Sequence, residues 1–488
     1  MGNIQGLGKT EDNVACFPSR AWYLNTIILI ISLIAKAHPV NRELLFAFLL
    51  WLSCTGAKAQ ISFTTRVLKD SLFIPWELTY GPDDHLWFTQ KNGYICRMDT
   101  AGIRTDTIYH EPATVTVKES GMLGMALHPD FASNPYVYVV WEYFNPNNDI
   151  KEHIVRYTYD AATNRLGSPL VIFDSTKGGW FHNGSRLIIV GDKLFVSVGD
   201  ATDITNPQNL NSLNGKILRL NLDGSIPADN PIPGSAIWTW GHRNPQGLVY
   251  ANGILYSSEH GNATDDEINI IVKGHNYGWP IVEGYCDQPG ELTFCADSNV
   301  TVPIYAWTPT IAPCGIDYYN HIMFPALRRS LLLTTLKDQH LYQLQLNDTY
   351  DSIVSASVIT GFDYGRLRDI CTSPEGKIFA STSNSNPNDT GKKVDKIIVM
   401  YDPAFASPLK FTIYPNPTTD IVSFAIPGHY SSLLYNLSIA ADSRKIETGT
   451  LDATLPRLNL KLLPDGMYII EIKTNEGFRY QGKIIVKH

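Results

Sequence analysis

Apolar and polar residues alternate along most of the chain, within a unit that recurs six times. Each unit is an apolar strand, a turn rich in Asp, Asn or Gly, and a second apolar strand that runs into small polar residues. A period of two is typical of strands with one buried face, and Asn-Gly between such strands is a strong hairpin signal. The copies begin at Trp76, Leu123, Ser185, Gly247, Phe324 and Arg368.

Further apolar segments lie between the copies, for example at His153 and Gly215. Each copy is therefore predicted to belong to a sheet of about four strands, as in the blade of a propeller. The sequence predicts an all-β protein in which residues 60–403 form a six-bladed β-propeller. A pair of β-sandwiches is the alternative.

The chain changes character after Pro403. Residues 404–410 are predicted to be a linker, and residues 411–488 contain short alternating strands typical of a small β-sandwich. At the other end, two apolar stretches, 24–37 and 44–53, are too short to read as membrane spans. The second follows Arg42 and leads into Ala-Lys-Ala before Gln60, which is the pattern of a cleaved signal peptide.

Residues 1–59 are thus interpreted as a leader with a signal peptide, and the protein as exported through the periplasm to the surface or the medium. The first apolar stretch is either an unused upstream translation start or a first anchor. In an exported protein, Cys286 and Cys295, which flank a Pro289-Gly290 turn, could form a disulfide.

The charge of the chain excludes one class of protein. The 39 Lys and Arg residues against 47 Asp and Glu residues give a net charge of −8, without a basic run. A nucleic-acid-binding protein needs such a basic stripe to neutralise phosphates, so this class is excluded. The 36 Gly and 29 Pro residues agree with a protein of many tight turns.

Polar side chains are placed at one edge of the sheets by the hairpins. Residues equally far from a hairpin turn reach the same sheet edge, and His182 and Asp200 lie equally far before and after Gly191. A histidine beside a carboxylate can act as a general base held in one tautomer. Around Asn252-Gly253, the same counting brings Arg243 and Asn244 near the segment that follows the second strand.

The same edge is predicted to carry Arg366, Arg368 and Lys337. Several cations around one cavity indicate an anionic ligand, and Arg side chains suit carboxylates. The turn at 261–269, which follows the second strand of the copy that begins at Gly247, is rich in carboxylates and exposed carbonyls, which are ligands of Ca²⁺. These features favour oxidation or hydrolysis with a bound cofactor.

Five longer segments are distinctive: GHRNPQGL from Gly241, SSEHGNATDDEINIIVKGHNYGWP from Ser257, LGMALHPDF from Leu123, HNGSRL from His182 and YGRLRDI from Tyr364. Together they resemble the soluble quinoprotein glucose and aldose-sugar dehydrogenases. The resemblance implies a pyrroloquinoline quinone (PQQ) cofactor held with Ca²⁺ in the mouth of the propeller. It implies oxidation of an aldose at C1 to the lactone, with hydride passing to the quinone and electrons passing on to a soluble or membrane acceptor.

Roles are implied for thirteen residues by this resemblance. His182 would be the base, Asp200 would orient it, and Arg243 would lie against the quinone oxygens. The expected cofactor-binding residues are Glu119, Asn244, Lys337, Arg366 and Arg368. The carbonyls of Gly261 and Asn262 would bind the catalytic Ca²⁺, and Glu267, Tyr277 and Asp287 would map onto a second, structural Ca²⁺ site. Trp279 is interpreted as packing between blades.

Three positions depart from the pattern of the glucose-specific members. Glu119 replaces Gln, Phe181 replaces Asp before the histidine, and Asn262 replaces Pro. Cofactor binding therefore carries over better than sugar specificity. The alternative functions are a calcium-stabilised propeller that binds glycans or proteins, and a lactone hydrolase on the same scaffold. The C-terminal module resembles the sorting module of Type IX secretion, by YPNPTTD from Tyr414 and by its last strands, which implies the secretion machinery as a partner.

Overall fold

A computed structural model describes residues 61–406, 411–426, 430–440, 444–475 and 479–488. The predicted leader, 1–59, lies outside these residues, as does the end of the predicted linker, 407–410. Within the described ranges, no helix is both long and apolar enough to cross a membrane.

The first part of the chain is built almost entirely of strands, in sheets of four. The strands are β1 (Thr64–Leu72), β2 (Pro75–Tyr80), β3 (His85–Gln90), β4 (Tyr94–Asp99), β5 (Thr105–His110), β6 (Met122–Leu127), β7 (Tyr136–Phe144), β8 (Ile150–Asp160), β9 (Arg165–Lys177), β10 (Gly184–Val190), β11 (Lys193–Val198), β12 (Lys216–Asn221), β13 (Ile237–Trp240), β14 (Pro245–Ala251), β15 (Ile254–Glu259), β16 (Asp266–Ile270), β17 (Tyr305–Trp307), β18 (Pro313–Tyr319), β19 (Ser330–Thr335), β20 (Leu341–Leu346), β21 (Ile353–Val358), β22 (Leu367–Thr372), β23 (Ile378–Thr382) and β24 (Asp395–Tyr401).

These strands form six antiparallel sheets in a closed ring, so the propeller prediction is confirmed. Five sheets take consecutive strands, from β2–β5 to β18–β21, and the sixth has the order β1-β24-β23-β22. The innermost strands, β2, β6, β10, β14, β18 and β22, each contact the next, and β22 contacts β2. Strand β1 pairs with β24 as the outer strand of the last sheet. The two ends of the propeller sequence therefore meet in one sheet.

Apolar side chains fill the spaces between neighbouring sheets. One cluster joins Tyr138 and Val140 of the second sheet to Leu194 and Val196 of the third. Another joins Phe88 of the first sheet to the last sheet across the point of closure. Because each sheet is covered on both faces by its neighbours, the ring buries far more apolar surface than one sheet could alone.

The fifth copy of the repeat differs from the sequence prediction. The apolar segment at Phe324 leads into a 3₁₀ turn, Pro325–Leu327, and only the following strand, β19, belongs to the predicted hairpin. Its inner partner is β18, further upstream, which carries a register shift between Pro313 and Ile316. The inner strands of the other sheets carry similar shifts, so the irregularity does not explain the difference. A second apolar segment lies between β18 and β19, and the prediction placed the inner strand there.

Outside the sheets, the propeller part contains one helix, α1 (Pro289–Ser298), among the described residues, and a second 3₁₀ turn, Pro403–Ala406. The predicted disulfide between Cys286 and Cys295 is present and attaches this helix to the segment before it. The other cysteines of the described region are free and buried.

The C-terminal part forms two sheets that share one core, which confirms the predicted β-sandwich. The strands are β25 (Thr412–Tyr414), β26 (Ile421–Ala425), β27 (Leu433–Ile439), β28 (Lys445–Leu451), β29 (Arg457–Asn459), β30 (Gly466–Thr474) and β31 (Arg479–Val486). One sheet has the order β25-β26-β29 and the other β28-β27-β30-β31. Val422 and Phe424 of the first sheet pack with Leu437, Ile470 and Ile484 of the second.

Candidate active site

His182 and Asp200 lie side by side, as the hairpin geometry predicts. The Nδ1 atom of His182 is 2.8 Å from Oδ1 of Asp200, and Asp200 is only 1% exposed. The same carboxylate accepts a hydrogen bond from the indole Nε1 of Trp279, at 2.9 Å, and one from the backbone N–H of Thr202, at 2.7 Å. Among the described residues, Nε2 of His182 has no protein partner. The carboxylate therefore fixes the imidazole with Nε2 available to a ligand.

Trp279 does more than pack between blades. Besides its hydrogen bond to Asp200, its ring lies 5.4 Å from the guanidinium carbon of Arg243. The backbone carbonyl of Arg243 also accepts the N–H of Asp200, at 2.8 Å. Trp279 thus joins the His182–Asp200 pair to Arg243, and the interpretation of Trp279 as a packing residue alone is corrected.

Glu119 holds the segment that carries His182. Its Oε2 accepts the backbone N–H of His182 at 2.9 Å, and its own N–H donates to the carbonyl of Trp180, also at 2.9 Å. The hydroxyl of Ser120 donates to the carbonyl of Gly179, at 2.8 Å. His182 has φ of 59°, in the left-handed region that few residues other than Gly adopt. These contacts stabilise that conformation and so place the imidazole.

Asn244 is oriented by its neighbours. Its Oδ1 accepts the backbone N–H of Gly184 at 3.1 Å and the amide Nε2 of Gln246 at 2.9 Å. Since Oδ1 already accepts two hydrogen bonds, the amide nitrogen is the polar atom that is free to bind a ligand. Asn244 Nδ2 is buried without a hydrogen-bond partner. The guanidinium Nε of Arg243 is likewise buried and unpaired. Buried donors without partners are rare, and here they fit a ligand that carries oxygen acceptors.

A cavity of about 260 Å³ lies next to these groups. Glu119, Phe181 and Gly184 line it on the side of His182, and Arg366 and Arg368 line it on the side of the last sheet. The cavity walls also include Lys91, Lys118, Trp76, Leu123 and Gln246. A ligand in this cavity would meet several cations and an apolar wall, which suits a planar molecule with carboxylates.

Electrostatic effects show that the charged groups from different sheets lie close together. Burial, Arg243, Arg368 and His182 lower the pKa of His260 to about 3. Burial and Arg368 lower the pKa of Arg366, while Glu119 raises it. Burial also lowers the pKa of Arg243, against the effect of Asp200. The cations are thus crowded together at one mouth of the ring, and an anion there would relieve their repulsion.

Arg368 and Lys337 are each held by polar contacts. Arg368 Nη1 donates to Oε1 of Gln246 at 3.0 Å. The ammonium of Lys337 is exposed and donates to the hydroxyl of Thr310 at 2.5 Å. Like His182 and Arg243, Lys337 does not itself line the cavity, although its neighbour Leu336 does. The expectation that Lys337 binds the same ligand as Arg366 and Arg368 stays a prediction.

The bend at Gly261 has two free carbonyls. The N–H of Gly261 donates to Oδ1 of Asp266 at 2.8 Å, and a Cβ at Gly261 would lie 1.9 Å from the carbonyl oxygen of Thr264. Within the described residues, the carbonyls of Gly261 and Asn262 accept no hydrogen bond. A tight bend with free carbonyl oxygens suits a hard cation such as Ca²⁺.

The residues expected at a second Ca²⁺ site differ in how they are engaged. Glu267 is half-buried and accepts hydrogen bonds from the backbone of Gly284, at 2.9 Å, and from the side chain of Asn269, at 2.8 Å. Burial and Glu259 raise its pKa well above the usual range. The hydroxyl of Tyr277 already donates to the carbonyl of Ile270, so only its own carbonyl remains as a ligand.

Asp287, the third expected ligand, accepts a hydrogen bond from Nε2 of Gln288 at 2.8 Å. The described residues contain no group of three or more His, Cys, Asp or Glu side chains that could hold a metal. A cation in this part of the molecule would thus need backbone carbonyls or water among its ligands. This second site stays a prediction.

A buried ion cluster was missed by sequence reasoning. Nη1 of Arg186 lies 2.6 Å from Oε2 of Glu77 and 2.9 Å from Oδ2 of Asp369, and its Nε donates to the carbonyl of Gln246. Arg186 also stacks on Trp76, at 4.2 Å. The sequence feature that could have indicated this cluster is a charged residue, Arg186, on an inner strand, where neighbouring sheets lie close together. Through Gln246, this cluster supports both Asn244 and Arg368.

Comparison with known proteins agrees with this geometry. Residues 72–391 match the family model described as glucose/sorbosone dehydrogenase, and residues 412–487 match that of the secretion system C-terminal sorting domain. The chain is 32% identical to quinoprotein glucose dehydrogenase B of Acinetobacter calcoaceticus, covering 65% of this chain and 84% of the relative. It is 27% identical to the aldose sugar dehydrogenase YliI of Escherichia coli K12, covering 70% and 96%.

A solved structure gives the same result. The PQQ-bound form of aldose sugar dehydrogenase from Streptomyces coelicolor superposes with a TM-score of 0.59 at 30% identity, covering 70% of this chain and 98% of that one. The C-terminal sandwich is a sorting domain of a secretion system, which makes the protein an exported one. The propeller, its polar mouth and these matches together show that the chain belongs to the glucose/sorbosone dehydrogenase family of oxidoreductases.

Proposed function

We propose that this protein oxidises an aldose sugar at C1 to the lactone, using PQQ held together with Ca²⁺. The observation that carries the proposal is the His182–Asp200 pair beside a cavity lined by Arg366 and Arg368. The relatives are named as a quinoprotein and an aldose sugar dehydrogenase, and one neighbour as PQQ-bound. The unpaired buried donor of Asn244 fits a ligand rich in oxygen acceptors.

In this proposal, the cations hold the cofactor and the polar groups orient it. Arg366 and Arg368 bind its carboxylates, because a guanidinium pairs with a carboxylate in two hydrogen bonds. Asn244 Nδ2 and Arg243 donate to its quinone oxygens, and the carbonyls of Gly261 and Asn262 bind the Ca²⁺. When bound, the quinone would supply the acceptor for the hydride of C1, with Ca²⁺ polarising its carbonyl.

His182 is the proposed base. Its Nε2 would take the proton of the C1 hydroxyl, while Nδ1 keeps its hydrogen bond to Asp200. The Asp200 carboxylate would stabilise the imidazolium that results, since Asp200 is buried and accepts donors from three directions. Loss of this proton and of a hydride from C1 converts the hemiacetal to the lactone, so the overall reaction is a two-electron oxidation.

The C-terminal sandwich is proposed to direct export by the Type IX route, through the periplasm to the cell surface or the medium. The physiological partner would be a soluble or membrane electron acceptor. The Glu267, Tyr277 and Asp287 region is proposed to hold a second, structural Ca²⁺. Phe181, which is exposed at the cavity, would shape the sugar site where related enzymes carry a polar residue.

The test is reconstitution of protein made in a host that lacks the cofactor. Dye reduction with a panel of aldoses should require both PQQ and Ca²⁺, and chelation of Ca²⁺ should abolish it. His182→Ala should lower kcat by about 10²–10⁴-fold with little change in PQQ binding. His128→Ala, at the opposite mouth of the ring, is the matched control and should keep full activity. Failure of the protein to bind PQQ would refute the proposal. It would favour a propeller that binds glycans or proteins, or a lactone hydrolase.

A further inference from the structure

Lys91 is a further cation of the cavity, and its place there is not evident from the sequence. It follows strand β3 directly and is only 2% exposed, yet it lines the same cavity as Arg366 and Arg368. Its stem runs over Gly121, where a Cβ would lie 2.3 Å from Cγ of Lys91. Glycine at position 121 thus leaves room for a buried lysine to reach the cavity.

The polar contacts of Lys91 do not account for its burial. Its ammonium donates to the carbonyl of Lys118, at 2.5 Å, although an ammonium can donate three hydrogen bonds. Glu142 is close enough to affect Lys91, but the described residues show no ion pair between them. Glu142 instead accepts the N–H of Gly121 at 2.9 Å, and its other oxygen is buried without a partner.

The surroundings of Lys91 make a buried ammonium costly. Burial and Arg368 lower the pKa of Lys91 to about 7, while Glu142 and Glu119 raise it. The cavity already holds Arg366 and Arg368, and only one carboxylate, that of Glu119, lines it. A lysine placed beside two guanidiniums gains little from the protein alone. An anionic ligand between them would satisfy the free N–H groups and offset the repulsion.

We propose that Lys91 is a further binding residue for the anionic cofactor, donating to a carboxylate that Arg366 and Arg368 also bind. The inference rests on the proposed function, because the cofactor supplies the carboxylate. It also gives this chain a buried cation that lines the cavity, in addition to the expected binding residue Lys337, whose ammonium donates to Thr310.

The test is a PQQ titration of the full chain, prepared without cofactor, in the presence of Ca²⁺. Binding is followed by the quinone absorbance and by the melting temperature, so that activity is not needed. Lys91→Met should raise the Kd about 10–100-fold, while the melting temperature without cofactor stays the same or rises. Lys273→Met, which removes an exposed cation that does not line the cavity, should change the Kd less than about threefold.

A second measurement separates charge from shape. Calorimetry of PQQ binding at pH 8, in two buffers of different ionisation enthalpy, should show uptake of a fraction of a proton by the wild type and less by Lys91→Met. Lys91→Gln serves if the methionine variant does not fold. A wild-type Kd in the folded Lys91 variant would overturn the assignment while leaving the proposed function intact. A wild type that binds no PQQ would refute the proposed function and this inference with it.

Discussion

Glu119 offers a sharp test of how the site is arranged, because its carboxylate has two opposing effects. It accepts the backbone N–H of His182, and it also lines the cavity that is proposed to hold an anion. Glu119→Ala removes both the acceptor and the charge. Glu119→Gln removes only the charge, since an amide oxygen can still accept the N–H. The two variants together therefore separate positioning from electrostatics.

The magnitudes follow from these contacts. A hydrogen bond to a charged acceptor contributes about 1.5–3 kcal/mol, and the positive φ of His182 makes its segment depend on such support. Two other contacts, from the backbone of Glu119 and from Ser120, remain in both variants. We therefore expect kcat of Glu119→Ala to fall about tenfold, which corresponds to about 1.4 kcal/mol in the barrier. We expect Glu119→Gln to stay within about threefold of the wild type.

Cofactor binding should change in the opposite direction. Loss of a negative charge that lines the cavity of an anionic ligand is worth about 1–3 kcal/mol at a partly exposed site. Both variants should therefore bind PQQ about tenfold more tightly or better, as measured by titration with Ca²⁺ present. Steady-state kinetics with saturating PQQ would give kcat. Equal kcat values for the two variants would refute the positioning role, and unchanged Kd values would refute the electrostatic one.

Three further outcomes are expected. Asp200→Asn should lower kcat about 10²–10⁴-fold in the dye assay, because an amide cannot stabilise a charged His182 as a carboxylate does; activity within threefold of the wild type would contradict this. Arg186→Met should lower the free energy of unfolding by about 3–5 kcal/mol, since it leaves Glu77 and Asp369 buried without their cation. Burial raises the pKa of the Glu77 and Asp369 carboxyls, and Arg186 lowers it, so both carboxyls should stay protonated in the folded variant. The stability of the variant should therefore be greatest at low pH and should fall as the pH rises above about 4, where the unfolded chain loses these protons. Melting curves from pH 4 to 9 should show a steeper fall for the variant than for the wild type. Chelation of Ca²⁺ should lower the melting temperature of the reconstituted protein, and an unchanged value would count against bound calcium.

Sequence reasoning succeeded where a hairpin could be counted. The contact between His182 and Asp200 was predicted from their equal distance from Gly191. The pairs nearest the turn are centred between residues 191 and 192, and a register shift between Gly184 and Leu187 moves the pairing by one residue, so that the count from Gly191 holds at the sheet edge. The reasoning failed for the fifth sheet, where an apolar segment and a 3₁₀ turn lie between β18 and β19. Local alternation does not reveal which of two apolar segments pairs with a strand.

Groups that depend on contacts between sheets were the hardest to predict. Arg186 lies in an alternating strand and looks like a surface residue in sequence, but its partners come from the first and last sheets. Lys91 precedes Asn92 and Gly93, a combination that indicates an exposed turn, yet the ring buries it. Burial of this kind depends on which sheets become neighbours, and short-range patterns carry no information about that.

The pairing of β1 with β24 has a consequence for the order in which the protein can mature. During synthesis, β1 emerges early and has no partner until the last propeller strand has left the ribosome. The sorting domain follows that strand in the chain. A nascent chain that contains the complete sorting domain therefore also contains every strand of the ring, whereas a chain that terminates before β24 lacks both the strand that closes the ring and the sorting domain.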